Sequence, residues 1–149
     1  MVPTAIEYME KVMRVVRDDD RSTTNITKDQ PLRGMHIVVT GATSGIGLGL
    51  TRKLCLLGAT VVAMGRSSSK LQELQQECPH NIETVLADFS DLDSIAAASQ
   101  HMIERYDRLD VLVNNAGIHP GLGLVSASKQ GYDLTFTGTN LTGSNTFHV

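Results

Sequence analysis

The 149-residue sequence has no tryptophan, three tyrosines and three phenylalanines, too few aromatic rings to build a base-stacking platform. It has no surplus of positive charge either. Thirteen Lys and Arg stand against 16 Asp and Glu, a formal net charge of −3. Neither nucleic acid nor an anionic membrane surface is therefore expected as a partner. Cysteine is scarce: Cys55 and Cys78 alone make no disulfide framework, and a reducing, cytoplasmic setting is the default. Cys55 in "LCLLGA" reads as a small buried hydrophobe rather than a reactive thiol. No apolar run approaches the ~18 residues of a membrane span. The first residues carry no apolar signal-peptide core, and no metal site is expected. Asn25-Ile-Thr27 and Asn140-Leu-Thr142 fit a glycosylation acceptor, a pattern short enough to arise by chance.

What is present, 41% hydrophobic and 19% charged residues, suits one soluble globular domain with a real core. Residues 1–34 stand apart from the rest. Ile6, Met9, Met13 and Val16 recur at helical spacing. The polar "DDDRSTTNITKDQP" that follows reads as a linker closed by Pro31. Glu7, Glu10 and Asp18 to Asp20 run against an acid-poor targeting peptide, though organellar targeting by this extension stays open.

From residue 35 to residue 149 strand and helix patterns alternate. "MHIVVTG", "TVVAMG", "IETVLAD" and "LDVLVNNAG" read as strands. Between them, "SGIGLGLTRKLCLLG", "SSSKLQELQQEC" and "SDLDSIAAASQHMIERYD" read as helices, with Gly58 and Pro79 as stops. "KQGYDLTFTGTNLTGSNTFHV" opens a further helical stretch. Continuous apolar strands joined by helices imply an α/β fold, a doubly wound Rossmann-type parallel sheet. Here it is incomplete, with the first four strands and their helices.

"VVTGATSGIG" places three glycines where a buried strand turns into a helix. The first amides of such a helix lack internal partners and, with the helix dipole, suit an anion. Gly41, Gly45 and Gly47 would let a phosphate approach them. No lysine follows to hold a γ-phosphate, so a triphosphate loop is excluded. Glycines that serve only tight packing are the plain alternative.

"TGATSGIG", "ADFSD" and "LVNNAG", in this order and spacing, resemble the short-chain dehydrogenase/reductase family from about Leu32 onward. The run is similar in detail to the retinol-dehydrogenase-like branch. The resemblance implies an NAD(P)-dependent oxidoreductase that moves a hydride between nicotinamide and a small carbonyl or alcohol substrate, and is compatible with a homo-oligomer. It implies that Gly41, Ser44, Gly45, Ile46 and Gly47 wrap the pyrophosphate. Thr40 is expected to be structural, its hydroxyl tying the turn to a neighbouring strand. Arg66 and Ser67 follow the second strand, where an acid would hold a ribose 2′-hydroxyl. A guanidinium there grips a 2′-phosphate instead, so NADP(H) is favoured over NAD(H). Against this stands the absence of a basic residue at Ala42, Thr43 or Ser44, and a solvated surface charge is the plain alternative for Arg66. Asp88 and the Phe89 amide match the family's adenine contact, with a helix cap as the other reading of Asp88; Ser90 and Asp91 suit that cap better. Asn114, Asn115, Ala116 and Gly117 match the block that lines the cofactor and braces the sheet, with Asn114 at the adenosine half.

The family's reaction needs a tyrosine, a lysine four residues on and a serine. Tyr8 is followed at that spacing by Val12, Tyr106 by Asp110 and Tyr132 by Phe136. Of the family's catalytic set only Asn140, with Gly143, has a candidate, as holder of a water in a proton relay; a plain helical asparagine is the alternative. The chain is thus expected to be truncated before the catalytic region, with "VLVNN" as an exposed edge. A non-catalytic module acting through cofactor sensing or partner docking is the alternative function.

Overall fold

The computed structural model describes residues 30–117 and 127–133. The proposed N-terminal helix, Asn140 and Gly143 lie outside them. Four strands, β1 (His36–Thr40), β2 (Thr60–Gly65), β3 (Ile82–Leu86) and β4 (Val111–Val113), alternate with α1 (Gly45–Leu56), α2 (Ser68–Glu77) and α3 (Leu92–Arg105). All strand pairs are parallel and the order is β3-β2-β1-β4. The expected doubly wound sheet is present, and β3 and β4 are its edges among the described residues.

The period of two along β1 and β2 sorts their side chains onto two faces. Ile37, Val39, Val61 and Ala63 join Leu54 of α1 and Leu71 and Leu74 of α2. Val38, Val62 and Met64 join Ile95, Ala98 and Met102 of α3 on the other side. Both faces are covered, so β1 and β2 are buried almost end to end. Leu32, on the linker side of the boundary read from the sequence, is 1% exposed and belongs to the first of these clusters.

Each helix ends as its residues dictate. Gly58, at φ +88°, follows the C-cap of α1. Ser67 caps α2 by accepting the Lys70 N–H, and Asp91 caps α3 by accepting the Asp93 N–H. Arg52 of α1 makes a two-pronged ion pair with Glu77 of α2, at 2.7 and 2.8 Å. No helix among the described residues is long and apolar enough to cross a membrane.

One expectation fails. Lys129 to Asp133 do not start a helix; they form a turn closed by an antiparallel bridge between Ala127 and Asp133. Gly131 sits at φ +82°, outside right-handed helical space, and the Ser128 hydroxyl takes the Tyr132 N–H at 3.1 Å.

Candidate dinucleotide cleft

The crossover between β1 and β4 opens a cleft of about 620 Å³ at the C-terminal ends of the strands. This is where the connections of an open α/β sheet diverge to opposite faces and leave room for a ligand. Its floor rests on Thr40, which is 1% exposed. The Thr40 hydroxyl donates to the Val113 carbonyl at 3.3 Å and accepts the N–H groups of Asn115 at 3.0 Å and Ala116 at 2.9 Å. The tie between turn and neighbouring strand expected of Thr40 is there. It also explains why β4 stops at Val113 rather than running on to Gly117: the next amides turn to this hydroxyl.

Asn115 braces the same junction from the other side. Its amide nitrogen donates to the Thr40 carbonyl at 3.0 Å and the Gly41 carbonyl at 3.3 Å. Gly41 itself sits at φ +67°, where a side chain is strained, and a Cβ there would press on Cα of Ala116 at 3.0 Å.

At the start of α1, Ser44 makes no side-chain cap bond, unlike Ser67 and Asp91 on the other two helices. Leu48 donates to the Ser44 carbonyl and opens the helical ladder. The amides of Gly45, Ile46 and Gly47 therefore precede it without an intrahelical acceptor. Gly45 has open space where a Cβ would stand, and Ile46 is 83% exposed at the cleft. This is a helix end whose donors and dipole are left for an anion.

Arg66, exposed at the end of β2, lies on the cleft wall with Asp88, Phe89, Ala116 and Gly117. The Asp88 carboxylate accepts the Ser90 hydroxyl at 2.6 Å and the Ser90 N–H at 2.9 Å. These bonds, helped by the charges of Arg66 and Lys129, hold its pKa below the usual carboxylate range. Asp91, not Asp88, caps α3, as the spacing suggested. The Asp91 carboxyl is drawn down to about 2 by Lys129 first and Gln130 second.

Of the residues singled out in the sequence, Gly41, Ser44, Gly45, Ile46, Arg66, Asp88, Phe89, Asn115, Ala116 and Gly117 converge on this cleft. Gly47, Ser67 and Asn114 do not line it. Gly47 packs beneath it, Ser67 is engaged as the α2 cap, and Asn114 is exposed beside it. Two lining residues escaped the sequence reading, Thr43 and Gly65. They meet each other: a Cβ on Gly65 would lie 2.9 Å from Cγ2 of Thr43. The signal was their position inside the glycine turn and immediately before Arg66. Tyr106 lies away from the cleft, donating to Glu83 at 2.6 Å; burial and that carboxylate push its hydroxyl pKa up. A proton-transfer tyrosine needs the opposite shift.

The family profile for short chain dehydrogenase matches residues 35–147. The L-xylulose reductase of Bos taurus is 35% identical over 109 residues, covering 73% of this chain and 43% of that protein. The uncharacterized oxidoreductase DltE of Bacillus subtilis is 42% identical over 94 residues, covering 63% and 37%. A metagenomic short-chain oxidoreductase solved in complex with NADP shares 42% identity at a TM-score of 0.54, over 58% of this chain and 41% of that one. The chain thus spans about two fifths of the length of the relatives it matches.

Proposed function

The chain belongs to the short-chain dehydrogenase family, and from that premise we propose that it is the NADP(H)-binding portion of an oxidoreductase acting on a small carbonyl or alcohol substrate. The observation that carries this reading is the uncapped N-terminus of α1, opening onto a cleft that Arg66 and Asp88 flank. The amides of Gly45 to Gly47 and the Ser44 hydroxyl would hold the pyrophosphate. Ile46 would pack against the dinucleotide and keep water from that side. Arg66, with Ser67 as a second donor, would hold the 2′-phosphate; Asp88 would accept the adenine amino group, with the Phe89 amide beside it. Asn114 would flank the adenosine half. Asn115, Ala116 and Gly117 would let the dinucleotide lie against the backbone. Bound there, the cofactor supplies hydride transfer at its nicotinamide ring. Asn140 would hold a water for proton relay.

Arg66→Ala tests the cofactor assignment. Removing a charge-assisted pair is expected to weaken NADPH binding roughly tenfold to hundredfold and leave NADH nearly unchanged. Calorimetric titration with both nucleotides reads this, and equal losses for the two would refute the role of Arg66.

A second reading rests on the tyrosines: none of the three is followed by lysine four residues on. This chain's own part would then be to hold the dinucleotide without turnover. Purified 1–149 chain is expected to oxidise no NADPH in the presence of carbonyl substrates. Turnover in that assay would rule out the non-catalytic reading.

A further inference from the structure

Outside the cleft, the turn Ala127 to Asp133 lies against the N-terminus of α3. Ser128 holds the turn from within: it is buried, and its N–H donates to the Tyr132 carbonyl at 2.8 Å. Two side chains then reach α3. The Lys129 ammonium pairs with the Asp91 carboxylate. Gln130 accepts the Leu92 N–H at 3.2 Å and donates to Asp91 at 3.0 Å and to Asp93 at 3.3 Å. Gln130 therefore takes one of the orphan amides of the first turn, the work of a cap supplied from a distant part of the chain.

These contacts are one step from the cleft wall. The Asp91 N–H donates to the Asp88 carbonyl at 3.0 Å. Ser90, which fixes the Asp88 carboxylate, gives its own carbonyl to the Lys129 N–H at 3.3 Å. We infer that Lys129 and Gln130 are positioning residues for the adenosine end of the cleft, setting Asp88 and Phe89 by holding the Ser90-Asp91-Leu92 turn from outside. Neither side chain lines the cleft, so the effect passes through that turn. The inference rests on the nucleotide-binding reading above.

Titrating the full chain with NADPH and with adenosine 2′,5′-bisphosphate tests it. Lys129→Met removes the ion pair; Gln130→Glu sets a carboxylate against Asp91 and Asp93 and serves should the first variant fold poorly. Each is expected to raise Kd for both nucleotides roughly fivefold to tenfold, as loss of one or two charge-assisted bonds allows. Lys129→Arg keeps the pair and is expected to restore the wild-type Kd. Hydrogen exchange should quicken at Ser90 and Asp91 and stay unchanged along α1. Variants that melt like wild type and bind both nucleotides with unchanged Kd overturn the inference and leave the nucleotide site standing. Weakening that Lys129→Arg does not relieve also overturns it. A wild-type chain that binds neither nucleotide overturns the nucleotide site, and this inference with it.

Discussion

A Gly47→Ala chain is expected to unfold roughly 6–12 °C below wild type and to lose measurable NADPH binding. The added Cβ would lie 2.3 Å from the Gly41 carbonyl oxygen and 2.4 Å from the Asn115 amide nitrogen. Both atoms are held: Asn115 donates to the Gly41 and Thr40 carbonyls, and the Gly41 backbone abuts Ala116. Relief must move backbone, so the cost sits near the upper end of overpacking, roughly 3 kcal/mol. The neighbouring helical glycine gives the control. Gly49 is exposed, and a Cβ there meets nothing within 4 Å. Gly49→Ala should stabilise the chain by up to about 1 kcal/mol through helix propensity alone. Thermal unfolding of the pair reads both signs. A Gly47→Ala chain as stable as wild type would show that the turn can open without cost.

Thr40→Val is expected to cost about 1–2 kcal/mol in urea unfolding. The substitution keeps the shape of the side chain while removing the acceptor of the Ala116 N–H; the Asn115 N–H and the Val113 carbonyl, which also bond to the hydroxyl, keep each other at 3.0 Å. Each buried polar group left without a partner costs about 1–3 kcal/mol, offset in part by water entering a partly exposed junction. Thr40→Ser, which retains the hydroxyl, should stay within about 1 kcal/mol of wild type. If Val and Ser variants unfold alike, the hydroxyl is not what holds β1 to the turn after β4.

Thr40 also marks how far local reasoning reaches. The resemblance of "TGATSGIG" to the family, not the immediate neighbours of Thr40 alone, assigns its hydroxyl to a neighbouring strand. The continuous apolar runs of β1 and β2 were legible too, and the strand period then sends Val38 and Val39 to opposite faces. Asn115 shows the limit. The resemblance puts it in a block that lines the cofactor and braces the sheet; it lines the cleft and does brace the sheet, but the partners of its amide, the Thr40 and Gly41 carbonyls, could not be named from the sequence. That bond spans 74 or 75 positions and exists only once β4 lies beside β1. The Arg52–Glu77 pair, 25 positions apart, was hidden for the same reason. The turn at Lys129 to Asp133 misled in the other direction. "KQGYD" is compatible with a helix until Gly131 takes a positive φ, which depends on what Ser128 and Gln130 find to bond.

The order of the strands has a consequence in time. β1 pairs with β2, and β2 with β3, across single short crossovers, whereas β1 meets β4 only after some seventy residues. Closing the larger loop costs more chain entropy and is repaid last. The junction at Thr40 is therefore expected to form after the first three strands, with its bonds absent when the chain crosses its folding barrier. Their loss in Thr40→Val would appear as faster unfolding with an almost unchanged folding rate. On that expectation, the part of the molecule that shapes the cleft is the part that assembles last.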